Sequence, residues 1–341
     1  MSLDLPDALE TLCRGEDLSR DRVRALFRAV MAGEVSEVQL TALLVGLKAK
    51  RETPDEVAGA AEAMRSAALH LDTGGLTVAD SCGTGGDGAH TLNLSTATAF
   101  VAAAGGMRIA KHGNRSISSK CGSADVLEQL GIRIDAPPEV SRRCLEEAGV
   151  CFLFAPQYHA GVRHAMPVRR ALGVRTIFNL LGPLANPALP AIQLMGVYDA
   201  ARCETLATTL GKLGCKRALV VNGDGLDEIA LHAETRAAHL HDGEVTMEVV
   251  TPESVGLSRR PLDALRGGAP EDNARWLAAL LAGEGEEAHA EAVAINAGAL
   301  LWLGGIADDH RAGTELAMSL IAAGEPIAHL DKLREVSGGP G

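Results

Sequence analysis

Aromatic residues are scarce in this chain: two Trp, two Tyr and five Phe, 3% of 341 residues. A core of ordinary size must therefore be assembled from small aliphatic side chains on elements that approach closely. An excess of positive charge is lacking too. The net charge is −12, which argues against non-specific binding to nucleic acid or to an anionic membrane surface. A local basic pocket for a small anion is compatible with that total. Long apolar runs are missing: stretches such as Ala97 to Ala104 are too short and too Ala-rich to span a bilayer. No basic segment followed by an apolar run opens the chain, so no secretory signal is read. The seven cysteines (Cys13, Cys82, Cys121, Cys144, Cys151, Cys203 and Cys215) are scattered singly, with no C-x-x-C pair. They read as reduced thiols. These absences predict a soluble, cytoplasmic protein.

What is present is ordinary globular composition, 47% hydrophobic and 22% charged, in a chain long enough for one large domain and a smaller one. Residues 1–72 read as helices only. Ser19 can cap a helix from Arg20 to Ala32 that Gly33 stops, and Ser36 can cap the next. Thr53 before Pro54, with Asp55 and Glu56 following, marks a third start. From residue 73 to 341 the grammar changes. "LTVADS", "MRIAKH", "IRI", "CFLF", "IQLMGV" and "RALVV" read as strands alternating with helices, the pattern of an α/β domain with a mainly parallel sheet. Asp242-Gly243 between alternating stretches predicts an edge hairpin, and the chain turns helical again from about Asp272.

Gly83-Thr84-Gly85-Gly86-Asp87-Gly88 matches G-x-G-x-x-G. A dinucleotide fold needs a helix opening at the third glycine and an acid about 20 residues on. Here "AHTLNLS" intervenes, and the best helix start is Ser95 or Thr96. The next strand ends in Lys111 and His112 rather than in an acid. No Gly-Lys-Ser/Thr follows, so a P-loop is excluded as well.

The charge pattern gives another reading. Between Asp87 and Asp125 there is no acidic residue, in a chain with 44 of them. Arg108, Lys111, Arg115 and Lys120 fall in that interval, with Thr91, Asn93, Ser95, Thr96, Asn114, Ser116, Ser118, Ser119 and Ser123. Backbone N–H groups in glycine turns and at a helix N-terminus, joined by cations and hydroxyls, make a phosphate cradle. A plain polar connection is the bland alternative, and it leaves the missing acids unexplained.

"VVNGDGLDEIA" places Asp224, Asp227 and Glu228 in a loop after a strand. Neighbouring carboxylates are often only a solvated turn. Beside a phosphate cradle they suit Mg²⁺, which binds through one or two carboxylates plus substrate phosphates. Arg163, Arg169, Arg170 and Arg175, among His159 and His164, offer candidates to grip a carboxylate, without singling out one. His239 and His241 share a strand face but have no third ligand, so an exposed hairpin is the expectation rather than zinc. Neither G-x-S-x-G nor H-E-x-x-H occurs.

The motifs "GTGGDGAHTLNLSTA", "KHGNRSISSKCGSADVLEQLG", "FLFAP", "PVRRALGVRTIFNLLGPLANP" and "GDGLDEI" together resemble the anthranilate phosphoribosyltransferases. These enzymes join anthranilate to phosphoribosyl pyrophosphate (PRPP) in tryptophan biosynthesis. The resemblance implies a small N-terminal helical domain hinged to a larger α/β domain of nucleoside phosphorylase/phosphoribosyltransferase type, with part of residues 165–190 completing the helical domain. It also implies a homodimer through the helical part, and Mg²⁺, two ions with bound PRPP.

By motif, Gly83, Gly86, Asp87 and Thr91 should surround the PRPP, with Asn93, Ser95 and Thr96 at its pyrophosphate. Lys111, His112, Gly113, Asn114, Arg115, Ser116, Ser118, Ser119 and Ser123 should close over the phosphates and ribose. Ser95, Asp227 and Glu228 match metal positions, and Gly83, Asn114 and Arg169 match anthranilate positions. Two departures stand out. His159-Ala160-Gly161-Val162 replaces the family's His-Pro-Ala-Met, and Cys121 stands where serine is usual. A pyrimidine-nucleoside phosphorylase is the nearest enzymatic alternative, and "KHGNR" and "GLDE" speak against it. A nucleic-acid-binding paralogue is the alternative from another class, and the net charge of −12 opposes it.

Overall fold

Four helices open the chain in the computed structural model, which describes residues 4–116 and 120–338. They are α1 (Leu5–Cys13), α2 (Arg20–Ala32), α3 (Glu37–Lys50) and α4 (Pro54–Ser66). The expected caps form. Ser19 Oγ accepts the Arg22 N–H, and Gly33 closes α2 at φ 75°. Ser36 with Gln39, and Thr53 with Glu56, each make reciprocal capping boxes. The fully buried Glu56 carboxylate also accepts from Leu18 N–H at 2.9 Å and Lys50 Nζ at 2.8 Å. One side chain thus ties three segments of the bundle together.

The α/β part follows. It contains β1 (Ala79–Gly83), α5 (Leu94–Ala104), β2 (Ile109–Gly113), α6 (Ser123–Gln129), α7 (Pro138–Glu147) and β3 (Val150–Phe154). Next come α8 (Ala155–Tyr158), α9 (Met166–Leu172), α10 (Phe178–Leu184), β4 (Ile192–Gly196), α11 (Cys203–Lys212) and β5 (Arg217–Asn222). The hairpin β6 (Thr235–His241) and β7 (Glu244–Val250) turns at Asp242-Gly243, and α12 (Pro270–Leu281), α13 (Glu287–Leu303), α14 (His310–Ala322) and α15 (Pro326–Ser337) end the chain. The sheet order is β3-β2-β1-β4-β5-β6-β7, parallel through β5 and antiparallel in the hairpin.

Neighbouring residues of one strand point to opposite faces, and both faces are covered. Leu194, Leu219 and Val221 enter a core with α5 and α13. Met195, Val220 and Leu240 enter a second core with α11, α10 and the N-terminal helices. Phe178 of α10 lies 5.7 Å from Phe27 of α2, ring to ring. The scarcity of aromatics is met by close approach: a Cβ on Gly298 of α13 would strike the Thr314 backbone of α14. Gly161 sits equally tightly, its missing Cβ facing the Met31 carbonyl at 2.8 Å.

Two sequence expectations need correction. "IRI" (residues 132–134) is not a strand. Its isoleucines are buried, but Gly131 at φ 78° and the Pro137-Pro138 helix start leave no room for a ladder. Helix α5 starts at Leu94, ahead of Ser95 and Thr96. Among the described residues no helix is long and apolar enough to cross a membrane.

Candidate active site

The glycine loop leaves β1 at its C-terminal end, where parallel sheets collect ligands. Gly85, Gly86 and Gly88 have φ of 67°, 79° and 75°, a region that other residues enter at a cost. The loop is pinned to its surroundings. Thr84 N–H donates to the Gly196 carbonyl at 2.9 Å, and Tyr198 N–H donates to Thr84 Oγ1 at 3.2 Å. Gly85 N–H donates to Asp227 Oδ2 at 2.7 Å, and the Arg175 guanidinium donates to the Gly86 carbonyl.

Asp227 lies directly over the ends of β1 and β4. A Cβ on Gly83 would collide with its carboxylate, and one on Gly196 with its carbonyl. The Asp87 carboxyl crowds the Asp227 side chain, and Glu228 faces the Ser95 backbone at the start of α5. Both carboxyls of the Asp227-Glu228 pair are pushed above the ordinary carboxylate range, first by burial and then by neighbouring negative charge. Lys111 opposes this charge at Glu228. It is buried, with Nζ donating to Ser95 Oγ at 3.2 Å and to the Ser81 carbonyl.

These residues fit a hard divalent cation. Crowded, desolvated carboxylates gain from a positive partner, and their oxygens are the right donors. Among the described residues no three His, Cys, Asp or Glu side chains form a ready cage. That arrangement suits an ion whose remaining ligands are water and phosphate. Asp224, at φ 54°, is exposed.

The second loop follows β2. Gly113 packs against Ser123, whose Oγ donates to the Asn114 carbonyl at 3.3 Å. The Asp125 carboxylate accepts from Ser116 N–H at 3.0 Å and Gly122 N–H at 2.8 Å, folding the loop back onto α6. Arg115 turns toward Glu128 (2.8 Å from Nη2) and Asp125 rather than toward the acid pair. Asn114 is exposed at the loop. His112 is buried, its Nδ1 3.1 Å from the Gly182 carbonyl. Burial, aided by the edge-on His159 ring at 5.1 Å, depresses its pKa to about 3. Ser118 and Ser119 lie outside the described residues.

Asn93 does not cap α5 with its side chain. Its amide is held by the Cys121 carbonyl at 3.3 Å and by Asn273 at 2.9 Å. Thr96 is fully buried, with no partner for its hydroxyl among the described residues. Thr91 bridges Arg266 at the loop's far end.

Of the four candidate arginines, Arg163, Arg170 and Arg175 are exposed. Arg169 is half-buried over the Phe178 ring at 5.2 Å, its pKa lowered by burial, with no carboxylate partner among the described residues. His239 packs on Trp302 at 4.7 Å, near the opposite end of the parallel strands.

Sequence reasoning missed Asp80, Asn186 and Gly196. Asn186 donates to Asp80 Oδ2 at 2.8 Å and to the Ala110 carbonyl at 2.7 Å, bracing β1 against β2 beneath the site. The only signal was a buried-type strand carrying an acid.

Comparison with known proteins agrees with this geometry. Residues 6–68 match the helical bundle domain of a glycosyl transferase family, and residues 75–327 match its a/b domain. The anthranilate phosphoribosyltransferase of Sorangium cellulosum is 57% identical over 329 residues, 96% of this chain and 94% of that protein. That of Idiomarina loihiensis is 49% identical over 328 residues, covering 96% and 97%. The crystal structure of the Thermus thermophilus enzyme superposes with a TM-score of 0.93 at 45% identity, over 98% of this chain and 100% of that one. A Saccharomyces cerevisiae structure in complex with PRPP and Mg shares the fold, with a TM-score of 0.87 at 24% identity over 99% of both chains. With identity of this order running almost end to end, the chain belongs to the anthranilate phosphoribosyltransferase family.

Proposed function

We propose that the chain transfers the phosphoribosyl group of PRPP to the amino group of anthranilate, releasing pyrophosphate and forming N-(5-phosphoribosyl)anthranilate in tryptophan biosynthesis. The observation that carries this reading is the pinning of the Gly83–Gly88 loop on Asp227, beside Glu228, at the C-terminal edge of the sheet. A phosphate cradle and a set of hard acidic ligands thereby share one site.

The Gly83–Gly88 loop, the α5 N-terminus with Asn93, Ser95 and Thr96, and the 111–116 loop with Ser123 would hold the phosphates and ribose. Ser95, Asp227 and Glu228 would hold Mg²⁺, two ions with bound PRPP, which would supply charge neutralisation at the leaving pyrophosphate. Lys111 adds fixed positive charge from beneath. Arg169, a half-buried cation without a carboxylate partner among the described residues, would take the anthranilate carboxylate, with Asn114 and Gly83 beside it. Displacement at ribose C1 through an oxocarbenium-like transition state asks for little base strength at the amine. The neutral, buried His112 is consistent with that demand.

The division of the chain near residue 72, with α9 and α10 assigned to the helical domain, is part of this reading, supported by the shared second core. So is a homodimer through that domain, supported by the exposed Val38 (81%) and Val45 (43%) on α3. A cytoplasmic location fits the seven free thiols. Transfer rather than nucleoside phosphorolysis is tested by product analysis. Pyrophosphate release that requires anthranilate supports the reading, and cleavage of a pyrimidine nucleoside by phosphate would overturn it.

A further inference from the structure

Arg175 stands on the connection between α9 and α10, facing the glycine loop. Its guanidinium donates to the Gly86 carbonyl and lies over the Tyr198 ring, 4.0 Å from the centroid. Among the described residues no carboxylate pairs with it. A planar cation stacked on an aromatic face and aimed at a backbone carbonyl is held in one orientation.

That carbonyl has a particular place. In a trans peptide the C=O of one residue and the N–H of the next point in opposite directions. A grip on the Gly86 oxygen therefore also sets the direction of the Asp87 N–H. Gly85, Gly86 and Gly88 all have positive φ, and glycine peptides reorient cheaply, so an external contact is needed to select one arrangement. Thr84 is held by Gly196 and Tyr198, and Gly85 by Asp227. At Gly86 itself the contact comes from Arg175.

The contact also joins two parts of the molecule. Ile177 and Phe178, just beyond Arg175, lie in the core shared with the N-terminal helices. The Tyr198 platform follows β4, and nearby Arg202 makes an ion pair of 2.8 Å with the buried Glu52, between α3 and α4.

We infer that Arg175 is a positioning residue: it fixes the Gly86–Asp87 peptide for the phosphorylated donor and carries the placement of the helical segments to the glycine loop. The inference rests on the proposed function, because it takes PRPP as the ligand of the loop.

The test compares wild type with R175A and R175K in three measurements. These are amide exchange across residues 84–89, calorimetric affinity for PRPP with Mg²⁺, and the KM of each substrate. R175A is expected to speed exchange in that segment, to weaken PRPP affinity and to raise the PRPP KM, each by roughly tenfold, leaving the anthranilate KM within about twofold. R175K keeps a donor without the flat stacking face and should recover part of the affinity. Wild-type exchange or PRPP affinity in R175A would overturn the inference, and so would equal losses for both substrates. Failure of the proposed function looks different: wild type itself binds PRPP without transferring it to anthranilate, and affinity and exchange still judge Arg175. A wild type that does not bind PRPP at all removes both.

Discussion

The Gly85 N–H donates to Asp227 Oδ2 at 2.7 Å across 142 residues of sequence. This bond joins the glycine loop to the acidic loop, so neither can be placed without the other. Gly83 and Gly196 make the contact possible by leaving space for Asp227.

Those glycines lead to a first expectation. Gly196→Ala should displace the acidic loop, since a Cβ there meets the Asp227 backbone, which cannot swing away. The expected cost is about 1–3 kcal/mol, typical of overpacking. Denaturant unfolding measures the cost, and a magnesium titration of activity should show a raised requirement. Wild-type values in both would remove the steric argument.

The acid pair gives a second. Asp227→Asn with Glu228→Gln should cut turnover by roughly a hundredfold or more while folding persists. Stability should also respond to pH. A carboxyl whose folded pKa is raised binds its proton more tightly folded than unfolded, so metal-free stability falls as pH rises from the ordinary carboxylate values of 3.8 and 4.5 through neutrality. The double variant should flatten that slope relative to wild type in thermal melts. Parallel slopes, or turnover indifferent to magnesium, would contradict the assignment.

His112 and His159 titrate in the opposite sense. Their pKa values are lowered to about 3 and about 4, chiefly by burial. The unfolded chain therefore takes up protons first, and stability drops as pH falls from 6.5 toward those values. Melts of wild type against His112→Asn between pH 7 and 4 should show a shallower acid limb in the variant.

Arg169→Ala should raise the anthranilate KM by about ten- to a hundredfold, the scale of a lost charged hydrogen bond. The PRPP KM should move far less. Arg169→Lys should recover only part, because an ammonium lacks the paired donors of a guanidinium. Equal effects on both substrates would point to a structural role over Phe178 instead.

The parts of this molecule that were legible in advance are local. Ser19, Ser36 and Thr53 announce helices within three residues, and each makes its cap. Asp242-Gly243 announces a hairpin, and the acid-free interval after Asp87 marks the loops around β2. What was not legible depends on distance along the chain. Asn186 meets Asp80 across 106 residues, and Arg175 meets Gly86 across 89. No spacing rule carries such pairs, since they follow from strand order and from how α10 returns over the sheet. Arg115 counts in sequence among the cations of the acid-free interval; that Glu128 and Asp125, one turn apart on α6, engage it is visible only in the fold.

Phosphoribosyl transfer to anthranilate is tested by the decay of anthranilate fluorescence with PRPP and Mg²⁺, each omitted in turn. Loss of fluorescence is expected only when both are present. Undiminished fluorescence in a protein that binds PRPP would contradict it, keeping the cradle and removing the acceptor.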